Sequence, residues 1–296
     1  MSRKIHSYDG GGREGFVEDY REDPEQLLRI GEDEAERIVD MITGFYRSHL
    51  ESSGLDGYAV GLSGGVDSST TAHLLADAVG PENVVGVIMP ADHTSREDID
   101  DAKEVAENLD VDTNDYGQFQ HRIDGVVDAL EELGEFIEDG KRQKVKRGNI
   151  LARARMTVLR DTAKARNYLV AGTTNASEKM LGYMTLAADG KGGVDNEALY
   201  ELFKTTERDL ARHLEVPDRI VEKTPSADLW KGQEDREELG FEYRVLDQVL
   251  AGFELGMEDS GIADAVGVEE EEVSDIRERV ERYRYKREPA PYPSFS

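Results

Sequence analysis

The sequence predicts an α/β fold, a parallel sheet with helices on both faces. Three observations lead there. Short apolar runs rich in β-branched residues alternate with longer helical patterns along the chain. The runs are nearly continuous in their apolar character, as strands covered on both faces require. The first run also enters a glycine-rich turn that opens a helix, a Rossmann-like arrangement.

The elements follow in order. Residues 1–23 are polar, lack the apolar core of a signal peptide, and read as a flexible arm; residues 24–296 read as a single domain. A helix is expected over 24–52. The run Tyr58-Ala59-Val60-Gly61-Leu62 is the first strand, and a helix follows from Thr70 to Val79. A second strand is expected over 83–89. Ser95 caps a helix running to Leu109, with Asp98 at its third position. A third strand is expected over 111–116. The next helix, over 119–138, carries Ile123, Val126, Val127 and Leu130 on one face. Another covers 149–166, with Asn149 as its cap, and a fourth strand covers 168–172. Between 186 and 233 the pattern weakens to a flexible loop at Gly190, Gly192 and Gly193 and a polar helix over 199–213. Two helical stretches close the chain, and Val273, Ile276, Val280 and Tyr283 recur at helical spacing in the last. Ligands of such sheets bind beyond the carboxyl ends of the strands. The loops 63–69 and 173–178 both lie at such ends.

Composition narrows the function. The chain has 296 residues and no cysteine, which excludes a disulfide scaffold, a cysteine zinc site and thiolate catalysis. No apolar run is long enough to span a membrane, and the location is expected to be cytoplasmic. With 64 acidic and 36 basic residues the formal net charge is −28, which opposes nucleic acid as a partner. The acids are dispersed over helix surfaces, the pattern of a protein adapted to high salt, with a surface that binds a basic partner as the alternative. Lys141, Arg142, Lys144, Lys146 and Arg147 form the one dense basic patch, read either as a funnel for anionic dinucleotides or as a solvated loop. The histidines show no metal-ligand spacing, and Trp230 reads as packing.

The chemistry is concentrated at Ser63-Gly64-Gly65-Val66-Asp67-Ser68-Ser69. A turn between strand and helix converges backbone N–H groups on one point, and the helix N-terminus adds positive potential there. That point suits phosphate, and the glycines let backbone approach it closely. The hydroxyls of Ser63, Ser68 and Ser69 add donors. A carboxylate beside phosphates needs a cation between them, so Asp67 reads as a Mg²⁺ ligand. The spacing and lysine of a Walker A loop are absent. The run resembles the pyrophosphate loop of ATP pyrophosphatases, which split ATP between the α- and β-phosphates and activate a carboxyl or carbonyl oxygen with AMP. A plain Gly-Ser turn with Asp67 as helix cap is the alternative.

Further motifs follow at Gly148-Asn149-Ile150-Leu151-Ala152-Arg153-Ala154-Arg155, Gly172-Thr173-Thr174-Asn175-Ala176-Ser177-Glu178 and Leu181-Gly182-Tyr183-Met184-Thr185. Phe203-Lys204-Thr205, Thr224-Pro225-Ser226-Ala227-Asp228-Leu229 and Gly232-Gln233-Glu234-Asp235 complete the series. Together with the loop they resemble ammonia-dependent NAD synthetase, over roughly residues 25–290. The resemblance implies a fold like the adenine nucleotide alpha hydrolases and a homodimer binding deamido-NAD across its interface. It implies that ATP adenylates the nicotinate carboxylate of deamido-NAD, and that ammonia then displaces AMP. By the same resemblance Ser63, Gly64, Gly65, Val66, Asp67, Ser68, Ser69, Thr173 and Ser226 would bind ATP, and Asp67 and Glu178 would share Mg²⁺. Asn149, Arg153, Asp195 and Lys204 would bind deamido-NAD, and Asp189 and Lys204 would be catalytic, Asp189 beside the ammonia. Arg153 and Arg155 stand on different helix faces, so one serves the local site and the other the fold or a partner subunit. The chain departs from the family at Ala187-Ala188-Asp189, where Tyr-Gly-Asp is usual, at an insertion within Gly190–Gly193, and at Tyr285, where histidine is usual. The competing readings are another ATP pyrophosphatase, such as a GMP synthetase or a tRNA-modifying enzyme, and a non-catalytic nucleotide-binding module. With no cysteine nucleophile for glutamine hydrolysis, free ammonia is the expected nitrogen source.

Overall fold

Strands β1 (Gly57–Gly61), β2 (Val84–Ile88), β3 (Asp112–Asp115), β4 (Tyr168–Gly172) and β5 (Asn196–Glu197) form one sheet in the order β3-β2-β1-β4-β5. Every neighbouring pair is parallel. The computed structural model describes residues 24–117, 120–134, 138–289, 291 and 293. The expected N-terminal arm, residues 1–23, lies outside them, as do Phe119 and residues 135–137. From β1 the chain steps outward through β2 to β3, then returns to β4 on the other side of β1. The loops leaving β1 and β4 therefore diverge, and the crevice between them is the switch point where open sheets bind ligands. The expected strands are all present. β5 was missed because Asp195-Asn196-Glu197 carries no apolar signal.

Both faces of the sheet are covered. On one, helices α1 (Glu32–Ser53), α2 (Val66–Val79) and α3 (Arg96–Asn108) pack Tyr46, Leu74, Leu75 and Val105 against Tyr58, Val60 and Ile88. The buried Tyr58 hydroxyl donates to the Tyr46 carbonyl at 2.8 Å. α2 starts at Val66, earlier than the expected Thr70. α3 is capped as expected, Ser95 Oγ accepting from the Asp98 N–H at 3.0 Å. The helix expected over 24–52 is instead a 3₁₀ turn (Pro24–Leu28) followed by α1 after Gly31.

α4 (Gln120–Leu133) buries Ile123 and Val127 but leaves Val126 and Leu130 about half exposed, so the expected apolar face is only partly covered. α5 (Gly140–Arg166) presents Leu159 and Ala163 to Ala59, Val85, Val87 and Val170 on the second face of the sheet. It begins well before the expected 149. Asp139 is its cap, accepting from the N–H groups of Lys141 and Arg142, and Asn149 is interior. The basic patch is thus helical rather than a loop. Gly148 is required here, because a Cβ would lie 2.9 Å from Leu229 and 3.2 Å from the Trp230 ring.

The short α6 (Ala176–Leu181) follows β4. α7 (Lys204–His213) starts later than the expected 199, because residues 196–197 join the sheet and Leu199 and Leu202 sink into the core. After α8 (Asp218–Val221) and α9 (Asp235–Leu239), three helices rather than two close the chain: α10 (Tyr243–Glu254), α11 (Asp259–Val266) and α12 (Glu270–Arg282). Leu246, Leu250, Ile262, Val273, Ile276 and Val280 pack with Leu181 in a core of their own. Tyr283 falls just past the last helix. No helix among the described residues is long and apolar enough to cross a membrane.

Candidate active site

A cavity of about 610 Å³ opens at the switch point. One wall is the loop between β1 and α2. Its serines are tied to the loop itself: Ser63 N–H donates to Ser68 Oγ at 3.2 Å, and the two hydroxyls are 3.0 Å apart. Ser68 and Ser69 hydroxyls both donate to the Gly65 carbonyl, at 3.1 and 2.8 Å. Ser63, Gly65, Val66, Asp67 and Ser68 line the cavity. Gly64 and Ser69 do not. Ser69 is a buried bracket of the helix start, and Gly64, at φ +79°, sits where a Cβ would be 2.2 Å from the Asp98 carbonyl.

Behind the loop lies a buried cluster of charge. Lys204, first residue of α7 and only 2% exposed, pairs its Nζ with Asp67 Oδ2, and Glu207 Oε2 lies 3.6 Å from the same Nζ. Asn175 donates from Nδ2 to Asp67 Oδ1 at 2.7 Å. Asn175 also caps α6 by accepting from the Glu178 N–H at 3.0 Å, while the Glu178 carboxylate accepts from the Asn175 N–H at 3.3 Å. That reciprocal box aims Glu178 into the cavity beside Asp67. Burial pushes the Asp67 carboxyl up, but the Lys204 charge and hydrogen bonds outweigh it and hold Asp67 below the usual carboxylate range. Burial, and then the Asp67 charge, push Glu178 well above that range, and the same two causes raise Glu207. Three carboxyl groups thus share one lysine.

Asp247 fixes this arrangement from α10. Fully buried, it accepts from Ser177 Oγ at 2.5 Å and from the Thr205 N–H and hydroxyl at 2.7 Å each. It joins the starts of α6 and α7, the helices that carry Glu178 and Lys204.

Another wall of the cavity is formed by the segment 224–233. Thr94 Oγ1 donates to Asp228 Oδ2 at 2.6 Å, and Arg155 Nη1 donates to the Asp228 carbonyl at 3.3 Å. Arg155 Nε donates to the Met89 carbonyl at 3.0 Å. Arg155 lines the cavity, whereas Arg153 donates to the Leu186 carbonyl at 3.0 Å and does not line it. Trp230 and Ser226 line the cavity as well.

The other expected residues divide. Thr173 and Asp189 line the cavity. Burial pushes the Asp189 carboxyl up, and the Thr185 N–H donates to it at 2.8 Å. Asn149 is one contact removed, accepting from Thr185 Oγ1 at 2.8 Å. Asp195 lies in a second cleft of about 300 Å³, held by Arg160 at 2.7 Å and by the Val170 N–H at 2.7 Å. Arg147 of the basic patch is paired with Asp128 and Glu131, both at 2.6 Å. Among the described residues no group of three or more His, Cys, Asp and Glu side chains could hold a metal ion, so any cation at Asp67 and Glu178 would take its other ligands from substrate and water. Sequence reasoning missed Asn175, Glu207 and Asp247. The N-x-x-E spacing of 175–178 and the helical spacing of 204 and 207 were signals for two of them.

A model of the NAD synthase family matches residues 38–290. The chain belongs to the NAD synthase family. It is 37% identical over 262 residues to the NH(3)-dependent NAD(+) synthetase of Methanocaldococcus jannaschii, covering 88% of this chain and 97% of that protein. The same-named protein of Thermococcus kodakarensis is 39% identical over 260 residues, covering 87% and 96%. Among solved structures, NMN synthetase from Francisella tularensis superposes with a TM-score of 0.73 at 29% identity, covering 88% of this chain and 99% of that one. The NH3-dependent NAD synthetase of Campylobacter jejuni, at TM-score 0.70 and 24% identity, shares the fold. NAD synthase membership accounts for the parallel sheet, the position of the cavity and the motif series that lines it.

Proposed function

We propose that this cavity carries out ATP-dependent amidation of deamido-NAD by ammonia, giving NAD, AMP and pyrophosphate. The observation that carries the assignment is the convergence of Asp67, Glu178 and Lys204 at the foot of a backbone loop built for pyrophosphate. A nicotinate carboxylate oxygen attacks the α-phosphorus of ATP, and pyrophosphate leaves. Ammonia then attacks the activated carbonyl carbon, AMP leaves, and the nitrogen sheds a proton. Asp189, buried and raised, is suited to accept that proton. The loop donors and Lys204 oppose charge growing on the phosphates.

Magnesium fits this donor set. Asp67, Glu178 and Glu207 crowd three carboxyl groups around the one charge of Lys204. The burial and mutual repulsion that raise Glu178 and Glu207 are what a bound cation would relieve, and Asp67 and Glu178 face the cavity. Asp67 and Glu178 would hold the ion, which supplies charge neutralisation at the phosphates when bound. Asn149, Arg153 and Asp195 gather along the segment 185–195, which supports a deamido-NAD site extending that way from the ATP cavity. A homodimer is favoured by the uncovered apolar stripe of Val126, Leu130, Leu133 and Val145 on the α4–α5 pair. A cytoplasmic setting suits an ATP-consuming chain without cysteine.

The test is to mix protein, ATP, Mg²⁺, ammonium and deamido-NAD and to measure NAD and AMP. A parallel arm offers the mononucleotide carboxylate, since the chain is also similar to an NMN synthetase. NAD and AMP in equal amounts are expected. ADP as the product, or amidation of the mononucleotide alone, would overturn the assignment.

A further inference from the structure

Lys223 sits at the edge of the cavity, between the signature loop and α3. Its Nζ donates to the Gly64 carbonyl at 2.9 Å, to Asp98 Oδ1 at 2.8 Å and to Asp101 Oδ2 at 2.6 Å. Asp101 is also held by Arg219 Nε at 3.0 Å, so the cation is locked by a buried acid rather than loose on the surface. The Gly64 carbonyl belongs to the same peptide plane as the Gly65 N–H. In a trans peptide the two point in opposite directions, and no cis peptide occurs among the described residues. Whatever holds the carbonyl on the α3 side therefore turns the N–H toward the other side. There the Gly65 N–H meets Ser63 Oγ at 3.2 Å, on the cavity wall. Gly64 has the freedom to flip that a residue with a side chain lacks, so the peptide needs an external hold.

We infer that Lys223 is the positioning residue of the pyrophosphate loop: by gripping the Gly64 carbonyl it keeps the Gly65 amide presented to the phosphates of ATP. The inference rests on the reading of this cavity as an ATP site. Lys223 has a second effect in the same place, because Asp98 lines the cavity and its charge would otherwise face the triphosphate. Since Lys223 directly precedes the segment 224–233 that lines the cavity, the same side chain ties that segment to the signature loop.

The experiment compares wild type, Lys223→Met, Lys223→Arg and Lys223→Met/Asp98→Asn in steady-state NAD synthesis. Lys223→Met should raise KM for ATP about tenfold or more, the loss of one oriented contact to a charged ligand, while KM for ammonia stays within about twofold. Lys223→Arg, which keeps charge and donors, should recover most of that loss, and the double variant only part of it. An unchanged KM for ATP in Lys223→Met would overturn the inference, as would an equal rise for every substrate. Full recovery in the double variant would assign the effect to charge alone and overturn the positioning role. If Lys223→Met does not fold, amide exchange on wild type decides. The Gly65 N–H should gain protection when a non-hydrolysable ATP analogue binds, and no gain overturns the inference. Wild-type protein that makes no NAD and binds no ATP would sink the reading of the cavity, and this inference with it.

Discussion

Asp67 makes contacts of two kinds at once, an ion pair with Lys204 and a hydrogen bond from Asn175, and it still faces the cavity. Asp67→Asn and Glu178→Gln each remove charge needed against the phosphates. Each is expected to lower NAD synthesis by about 10²-fold or more, the size typical of electrostatic contacts to a transition state. Turnover near wild type in both variants at limiting Mg²⁺ would refute their role. Glu197 offers a test of stability. Desolvation of the half-buried carboxyl pushes its pKa up to about 8. Between the ordinary carboxyl value, roughly 4.3, and 8 the folded state keeps a proton that the unfolded chain has released. Its contribution therefore favours folding at low pH and is lost as pH rises to 8. Glu197→Gln removes that slope, so the variant should gain on wild type over the same window, by on the order of 1–3 kcal/mol at pH 8 after screening. Parallel melting curves across pH check this, and superimposable profiles would count against a buried, protonated Glu197. The residues that line this cavity were legible where a local motif carries them, as for Ser63, Gly65, Asp67 and Glu178, whereas Asn175 was passed over although it stands in the same motif as Glu178. Asp195 and Arg153 were less so, because a sequence does not say which of several near acids and bases pair with one another first.

At the level of elements, the starts of α6 and α7 depend on a carboxylate from a third helix. Asp247 satisfies the buried Ser177 Oγ and the part-buried Thr205 N–H and hydroxyl. Asp247→Asn turns one acceptor into a donor facing donors, leaving at least one group unpaired at a cost of about 1–3 kcal/mol. Urea unfolding should show a lower midpoint with an unchanged slope, and KM for ATP should rise because Lys204 and Glu178 lose their common anchor. A midpoint equal to wild type would show that the junction tolerates the loss. The elements themselves were readable wherever apolar pattern and cap agree, as for β1, β2, β4 and the Ser95-capped α3. Boundaries failed where tertiary packing decides. The start of α5 at Gly140 lies in a charged stretch whose helix is held by Asp139 and by ion pairs to α4. β5 is only Asn196 and Glu197, and its register against β4 comes from Gly172 and Ala171 rather than from any pattern of its own.

For the molecule as a whole, charge and assembly set two further expectations. A net charge of −28 repels itself over a Debye length of about 30 Å at 0.01 M salt and of about 3 Å at 1 M. The melting temperature should therefore climb as KCl rises toward molar levels, and a flat or falling profile would remove the reading of salt adaptation. Assembly concerns the stripe of Val126, Leu130, Leu133 and Val145. Leu133 is 85% exposed, and the neighbouring pair on α4 is about half exposed, while Ile123 and Val127 of the same helix are buried. A helix that buries Ile123 and Val127 and leaves Val126, Leu130 and Leu133 exposed at helical spacing is suited to a self-complementary contact between two copies. If deamido-NAD lies across that contact, activity and dimer content should fall together on dilution, and substrate should shift the balance toward dimer by mass action. Leu130→Glu places a charge in the middle of the strip, outside the cavity and away from Ile123 and Val127, so the subunit should still fold. Sedimentation at assay concentration should then find monomer with little activity, beside wild-type dimer with full activity. A Leu130→Glu monomer that retains wild-type kcat/KM for deamido-NAD would show that each subunit holds a complete site. A Leu130→Glu dimer would show that the strip is not the contact.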